Sequence, residues 1–199
     1  MNGQEIEVKF LNVNFENLRE KLTSIGAIQK YEMRNFRRLM YDYPDFRFQK
    51  NNHHKRLRIR DEGDKTAINI KTTNESNYPE EIEVIVDSFD NTAALLESIG
   101  LVKFSYQESR REAWEIDGVE IVLDEWPWIN TYVEIEGSSE DEIKNAAKKV
   151  GFSWEDAKFG SVDTAYRAQY PKMKQEDSVG DLPEVRFSMP IPEYFQKRK

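Results

Sequence analysis

"EIEVKF" (residues 5–10) alternates acid and apolar side chains, then puts a lysine where the third acid would stand. In an extended chain successive side chains point to opposite faces, so Glu5, Glu7 and Lys9 share one face and Ile6, Val8 and Phe10 the other. The stem returns as "EIEVIV" (residues 81–86) and as "VEIEGS" (residues 133–138). There Glu81 and Glu83 oppose Ile82 and Val84, and Glu134 and Glu136 oppose Val133 and Ile135. Each copy precedes a segment with helical spacing that ends in glycine. "NFENLREKLTSIGA" offers Asn14 as N-cap, a Phe15/Leu18/Leu22/Ile25 stripe and Gly26 as stop. "SFDNTAALLESIG" offers Asp90 as cap and Gly100 as stop, and "SSEDEIKNAAKKVG" offers Ser138 or Ser139 and Gly151. Strand, helix and glycine thus recur three times, which suggests an internal pseudo-repeat.

The intervening segments read as further strands. "FRRLMYDY" runs into the turn "YPDF", and "KRLRIRDEGDKTAINIKTT" reads as a hairpin turning at Glu62, Gly63 and Asp64. "SRREAWEIDGVEIVLDEW" is a second hairpin, turning at Asp117-Gly118, a strong hairpin signal. With "TYVEIEG" this makes about eight strands and three principal helices. In "RLRIR", Arg56, Arg58 and Arg60 share a face opposite Leu57 and Ile59, and Lys71 shares a face with Asn69 in the partner strand. From residue 172 the chain is rich in Pro and charge, so residues 1–171 are expected to form the domain and 172–199 a loosely ordered C-terminal extension.

Of 199 residues, 38% are hydrophobic and 12% aromatic, enough to fill a core. The formal charge of -8 argues against a nucleic-acid duplex or a membrane as partner, since those call for a net basic face, but it leaves room for a local Arg/Lys cluster that grips a small anion. Cysteine is absent, which removes disulfides, thiolate metal sites and Cys nucleophiles. "MNGQEIEVKF" has neither a basic nor an apolar leader region, and no apolar run approaches the roughly 20 residues of a membrane span. A cytoplasmic protein is the expectation.

Two architectures satisfy the stripes. An open sheet could turn its apolar face to the helices and its charged face to water, with cross-strand ion pairs. Alternatively, an α+β fold could close about eight antiparallel strands into a barrel with a charged interior and helices packed outside. Such a tunnel can enclose one small ligand. Separate acidic and basic sets inside it would hold metal ions and phosphates together. The co-occurrence of all the stripes favours the closed form.

That combination resembles a known family. "EIEVKF" is similar to the ExExK signature of CYTH domains, also called triphosphate tunnel metalloenzymes, which include class IV adenylate cyclases and thiamine, inorganic and RNA triphosphatases. "YDYPDF" resembles the family's Tyr-Asp-Thr-Pro-Asp turn, "RLRIRDEG" its Leu-Arg-Ile-Arg strand, "INIK" its lysine strand and "EEIEV" its second acidic strand. "SRREAWEIDGVEIVLDEW" resembles its arginine hairpin and "YVEIEG" its third acidic strand, so the likeness runs in order from about residue 4 to 170. The resemblance implies that Glu5, Glu7, Glu134 and Glu136 bind a divalent metal, Mg²⁺ or Mn²⁺, with Asp124 nearby. It implies that Arg58, Arg60, Lys71 and Arg111 hold the triphosphate and that Lys9 sits beside the reacting phosphate, where the family lysine has been proposed to help activate the nucleophile. Glu81 and Glu83 would orient cations or basic side chains in support.

The chain departs from the family at Ser109, where a lysine is usual, and at Ile129-Asn130, where Leu-Gly is usual. Lys158 matches a C-terminal basic position loosely. His53 and His54 read as a solvated turn, and Trp126 and Trp128 as packing rather than a tunnel mouth. The implied activity is metal-dependent hydrolysis of a triphosphate substrate: inorganic triphosphate, thiamine triphosphate or a nucleoside triphosphate. The alternatives are cyclisation of ATP to cyclic AMP and pyrophosphate, a non-catalytic polyphosphate- or nucleotide-binding module, and a structural barrel with internal salt bridges. Exterior helices are compatible with a homodimer.

Overall fold

The computed structural model describes residues 6–50, 55–72 and 80–198. Its strands form one sheet in the order β1-β8-β7-β6-β2-β3-β4-β5, antiparallel throughout, with a short ninth strand added in parallel to β6. They are β1 (Ile6–Leu11), β2 (Ile28–Asp42), β3 (Lys55–Asp61), β4 (Thr66–Thr72), β5 (Glu80–Val86), β6 (Val102–Ile116), β7 (Val119–Glu125), β8 (Tyr132–Gly137) and β9 (Glu184–Val185). The helices are α1 (Phe15–Ser24), α2 (Arg47–Lys50), α3 (Phe89–Ser98), α4 (Glu140–Val150), α5 (Asp163–Gln169) and α6 (Glu193–Gln196). Among the described residues no helix is long and apolar enough to cross a membrane. The chain divides into two compact units, residues 1–34, 109–179 and 187–199 in the first and 35–108 and 180–186 in the second.

In the first unit the register is β1 on β8 on β7 on β6. Val8 faces Ile135, which faces Ile121, which faces Trp114; Phe10, Val133 and Leu123 form the adjoining row. These apolar rows are the face against which α1 and α4 pack, through Phe15, Leu18 and Leu22 and through Ile143, Ala146, Ala147 and Val150. One acid stands among them. Glu112 is buried on the helix side, where Arg19 of α1 grips both its oxygens at 2.7–3.1 Å and the Trp114 indole donates to it at 2.7 Å. A buried carboxylate is tolerated there because its oxygens are satisfied.

The second unit is built alike. Leu57 and Ile59 of β3 and Ile68 of β4 pack with Leu39 and Tyr41 of β2 against Phe89 and Leu96 of α3. Its opposite face carries the charges.

The caps follow the sequence closely. The Asn14 side chain accepts from the Asn17 N–H at 3.0 Å, and Ser139 accepts from Glu142. For α3 the cap is Ser88, accepting from the Asn91 N–H, and not Asp90, which lies within the first turn where its charge still complements the helix dipole. Asp117 (φ 53°) and Gly118 (φ 80°) are both left-handed, as a two-residue hairpin turn of this twist requires.

Residues 172–198, expected as a loosely ordered extension, carry buried anchors. Glu184 and Val185 pair with Tyr106 and Gln107 within the second unit. Within the first, Phe195 of α6 is fully buried and stacks on Tyr166 and Tyr170 at ring separations of 5.2 and 4.7 Å. The sequence signal was the aromatic pair in "PEYF", set against a composition that otherwise reads as linker.

Candidate functional site

The charged face of the first unit follows from parity. Since Glu7, Lys9 and Leu11 alternate with Val8 and Phe10, whatever lies across the ladder from them is on the same face. Glu7 pairs with Glu136, Lys9 with Glu134 and Leu11 with Tyr132. One strand further, Glu136 faces Glu120, Glu134 faces Val122 and Tyr132 faces Asp124; Asp124 in turn faces Arg111, and Glu120 faces Glu115. Lys9, Glu7, Glu134, Glu136, Asp124 and Arg111, all expected at the site, thus occupy adjacent rows of one face. Glu5 lies outside the described residues, as do His53 and His54.

Glu134 joins the two cations. One of its oxygens lies 3.1 Å from the Lys9 ammonium and the other accepts from Arg111 at 2.5 Å. Arg111 also forks onto Asp124, with Nε to Oδ1 at 2.8 Å and Nη2 to Oδ2 at 2.5 Å. Lys9 donates to Glu7 at 3.0 Å and to the backbone carbonyl of Gly160 at 2.6 Å. Lys9 and Asp124 are completely buried and Glu134 nearly so. Buried charges persist only when paired and hydrogen-bonded in this way.

Each ionisation responds to that pairing. Burial pushes Lys9 down, but Glu134 and then Glu7 outweigh it and hold the ammonium above its usual range. Lys9 in this arrangement is a charged donor, not a base. Burial pushes Glu134 up, yet Arg111 and Lys9 pull it down to about 2. Asp124 goes the other way. Burial lifts it above the ordinary carboxylate range, Arg111 opposes this, and the neighbouring charge of Glu134 adds to the lift.

The donor chemistry fits a hard divalent cation. The row Glu7–Glu136–Glu120 sets like charges directly opposite one another on three adjacent strands, an arrangement that costs stability unless positive charge is supplied. All donors are carboxylate oxygens, the ligands Mg²⁺ and Mn²⁺ prefer. Among the described residues no three acids converge as a ready-made cage, because Glu134 is committed to Lys9 and Arg111. The Lys9 ammonium, among oxygens of Glu7, Glu134 and Gly160, holds a place where positive charge is demanded.

The second unit carries the basic set. Arg56, Arg58 and Arg60 of β3 face Lys71, Asn69 and Ala67 of β4, and Lys71 and Asn69 face Glu81 and Glu83 of β5. Arg58 donates to Asn69 at 2.8 Å and lies 3.6 Å from Glu81. Arg60 reaches Glu62 at 2.6 Å and Glu83 at 3.5 Å, and Lys71 lies 3.8 Å from Glu81. Arg38 of β2, directly opposite Arg60, adds a cation to this face.

Glu120, Arg38 and the Gly160 carbonyl were missed by sequence reasoning. Parity could have found the first two, since Glu120 is two steps from Asp124 on Asp124's face and Arg38 alternates with Leu39. Gly160 meets Lys9 through the bridge between Lys9 and Lys158, a contact with no local signal. The tryptophans pack: Trp126 is buried, and Trp128 donates to the Met189 carbonyl at 2.9 Å. Arg110, on the opposite face from Arg111, pairs with Glu125 and lies over the Phe187 ring.

Comparison with known proteins agrees in fold. The CYTH domain model matches residues 3–167. A candidate adenylate cyclase from Vibrio parahaemolyticus superposes with a TM-score of 0.70 at 15% identity, covering 83% of this chain and 98% of that one. The PH1012 protein of Pyrococcus horikoshii gives 0.62 at 23% identity, with 81% and 98% covered. The candidate adenylyl cyclase HpAC1 from Hippeastrum, described as revealing a dominant triphosphatase activity, gives 0.56 at 17% identity, with 83% and 96% covered. No match to a curated protein is found.

Proposed function

Because the chain belongs to the CYTH domain family, we propose that it hydrolyses a triphosphate substrate with the help of a divalent cation, Mg²⁺ or Mn²⁺. The observation that carries this reading is the buried chain Lys9–Glu134–Arg111–Asp124 beside an acidic row. A merely structural face would be expected to spend apolar side chains there, since replacing buried ion pairs with well-packed apolar groups is often neutral or stabilising.

Glu7, Glu134 and Glu136, with Asp124 close by and Glu5 as the resemblance implies, would hold the cation. When bound, such a cation supplies the charge that lets carboxylates and phosphates share a site and polarises a phosphoryl oxygen. Arg111 would turn its fork to phosphate oxygens, a geometry guanidinium matches in bidentate fashion. Lys9, held as an ammonium, would donate to the reacting phosphate and stabilise charge developing there rather than remove a proton from water. The resemblance also gives Arg58, Arg60 and Lys71 of the second unit as phosphate-binding residues, with Glu81 and Glu83 in support. In hydrolysis a water oxygen bonds to the terminal phosphorus as the bridging P–O bond breaks.

The test is phosphate release and cyclic AMP formation measured side by side, with inorganic triphosphate, thiamine triphosphate and ATP under Mg²⁺ or Mn²⁺. Phosphate release that Lys9→Ala and Glu136→Gln each reduce by two orders of magnitude or more supports hydrolysis. Cyclic AMP and pyrophosphate without orthophosphate would replace it with cyclisation. Tight binding without either product would make the protein a receptor.

A further inference from the structure

Immediately along β1 from Lys9 the chain opens a cleft of about 220 Å³, lined by Leu11, Asn12, Asn130, Ala165, Ala168 and Gln169. Leu11 continues the face of Glu7 and Lys9, about 7 Å beyond Lys9 along the strand. Its cross-strand row runs through Tyr132 and Asp124 to Arg111. The cleft therefore borders the part of the face where phosphate contacts are proposed.

Its chemistry differs from everything around it. No charged side chain lines it, which disfavours a further phosphate or a cation. Three carboxamides do, from Asn12, Asn130 and Gln169, while Leu11, Ala165 and Ala168 supply small apolar walls. Each carboxamide presents a donor and an acceptor side by side, the pattern that pairs with the edge of a heterocyclic base. Asn130 donates its Nδ2 to the Asn12 Oδ1 at 2.8 Å, which fixes both groups and leaves the Asn12 NH₂ and the Asn130 carbonyl for a ligand.

The walls are held in place beforehand. Val13 N–H donates to the Thr131 carbonyl at 3.2 Å and the Thr131 hydroxyl to the Val13 carbonyl at 2.7 Å, locking together the segments that carry Asn12 and Asn130. Helix α5 is anchored through Tyr166 to the Pro127 carbonyl at 2.7 Å and, just past its end, through Tyr170 to the Trp128 carbonyl at 2.5 Å. Pre-organisation of this kind lowers the entropic cost of binding.

We propose that this cleft is a nucleobase subsite, which makes the substrate class a nucleoside triphosphate rather than inorganic triphosphate. The inference rests on the triphosphate reading of the adjoining face. It also gives a use to Asn130, which replaces the small residue the sequence resemblance leads one to expect.

Titration calorimetry with Mg²⁺ tests it, using a non-hydrolysable ATP analogue and, for the bare chain, diimidotriphosphate. The wild type should bind the ATP analogue at least tenfold more tightly than diimidotriphosphate. Asn130→Ala and Gln169→Ala should each weaken the ATP analogue about fivefold, the size of one net hydrogen bond, and leave diimidotriphosphate within about twofold. Both positions are solvent-accessible, and unchanged melting temperatures confirm intact folding. Equal weakening of both ligands, no weakening of either, or no wild-type preference for the nucleotide overturns the proposal. Selective loss of the nucleotide in a protein that releases no phosphate leaves the subsite standing and removes the hydrolase reading. Failure of the wild type to bind either ligand removes both.

Discussion

Arg111 stands between two carboxylates that have little other access to solvent, and its removal exposes what each interaction costs. In Arg111→Ala, Asp124 is left buried without its fork and Glu134 loses one of its two cations. Breaking a buried pair from one side typically costs about 3–5 kcal/mol, so denaturant unfolding should show a loss of that size. Arg111→Lys should recover less than half of it, since an ammonium cannot satisfy both oxygens of Asp124 and reach Glu134 as well. Glu134 also sets an acid limit. Its folded value lies near 2, below the 4.5 of an unperturbed group, so its contribution is fully present above about 4.5 and is lost as pH falls through about 2. Glu134→Gln should flatten the stability–pH curve in that window, as followed by urea midpoints between pH 5 and 2. The face each of these side chains takes was legible because alternation fixes it along a strand. What alternation could not give is which charges meet: Lys9 reaches Gly160, 151 positions away, and Glu134 rather than Glu136 became the bridge.

At the scale of elements the sequence was most legible where structure is local. Asn14, Gly26, Ser139 and Gly151 bound their helices as their chemistry requires, and Asp117-Gly118 makes its turn. Asp90 misled because Ser88 and Asp90 both suit an N-terminus, and only the onset of burial at Phe89 selects between them. The Asn14 cap is a clean test. Its side chain closes the Asn17 N–H at the head of α1, the helix whose Arg19 satisfies buried Glu112. Asn14→Ala should cost about 1 kcal/mol, with Asn14→Ser or Asn14→Asp restoring most of it. Hydrogen exchange should localise the loss to the first turn of α1. Exchange that instead rises uniformly through α4 would show that the cap supports the whole apolar face rather than one helix end.

At the scale of the whole molecule, composition says little about how the chain's last segment packs. Pro and charge in residues 172–199 read as linker, yet burial there depends on a few side chains that averages dilute. Phe195 is the chief of these within the first unit. It stacks on Tyr166 and Tyr170 and touches the Trp128 ring at 5.7 Å, while Trp128 is itself tied to the Met189 carbonyl. Those same tyrosines fasten α5 to the loop before β8, so the end of the chain supports the wall that carries Gln169. Phe195→Ala should cost about 3–5 kcal/mol, the usual loss for a buried aromatic truncated to a methyl. Tryptophan emission should move to longer wavelength as Trp128 loses its covering ring. A chain ending before Phe187 should show the same two changes at least as strongly, because it also loses the Met189 carbonyl that Trp128 donates to and the Phe187 ring under Arg110. Emission and stability unchanged in both would mean that the segment contributes nothing to the unit it packs against in the folded state.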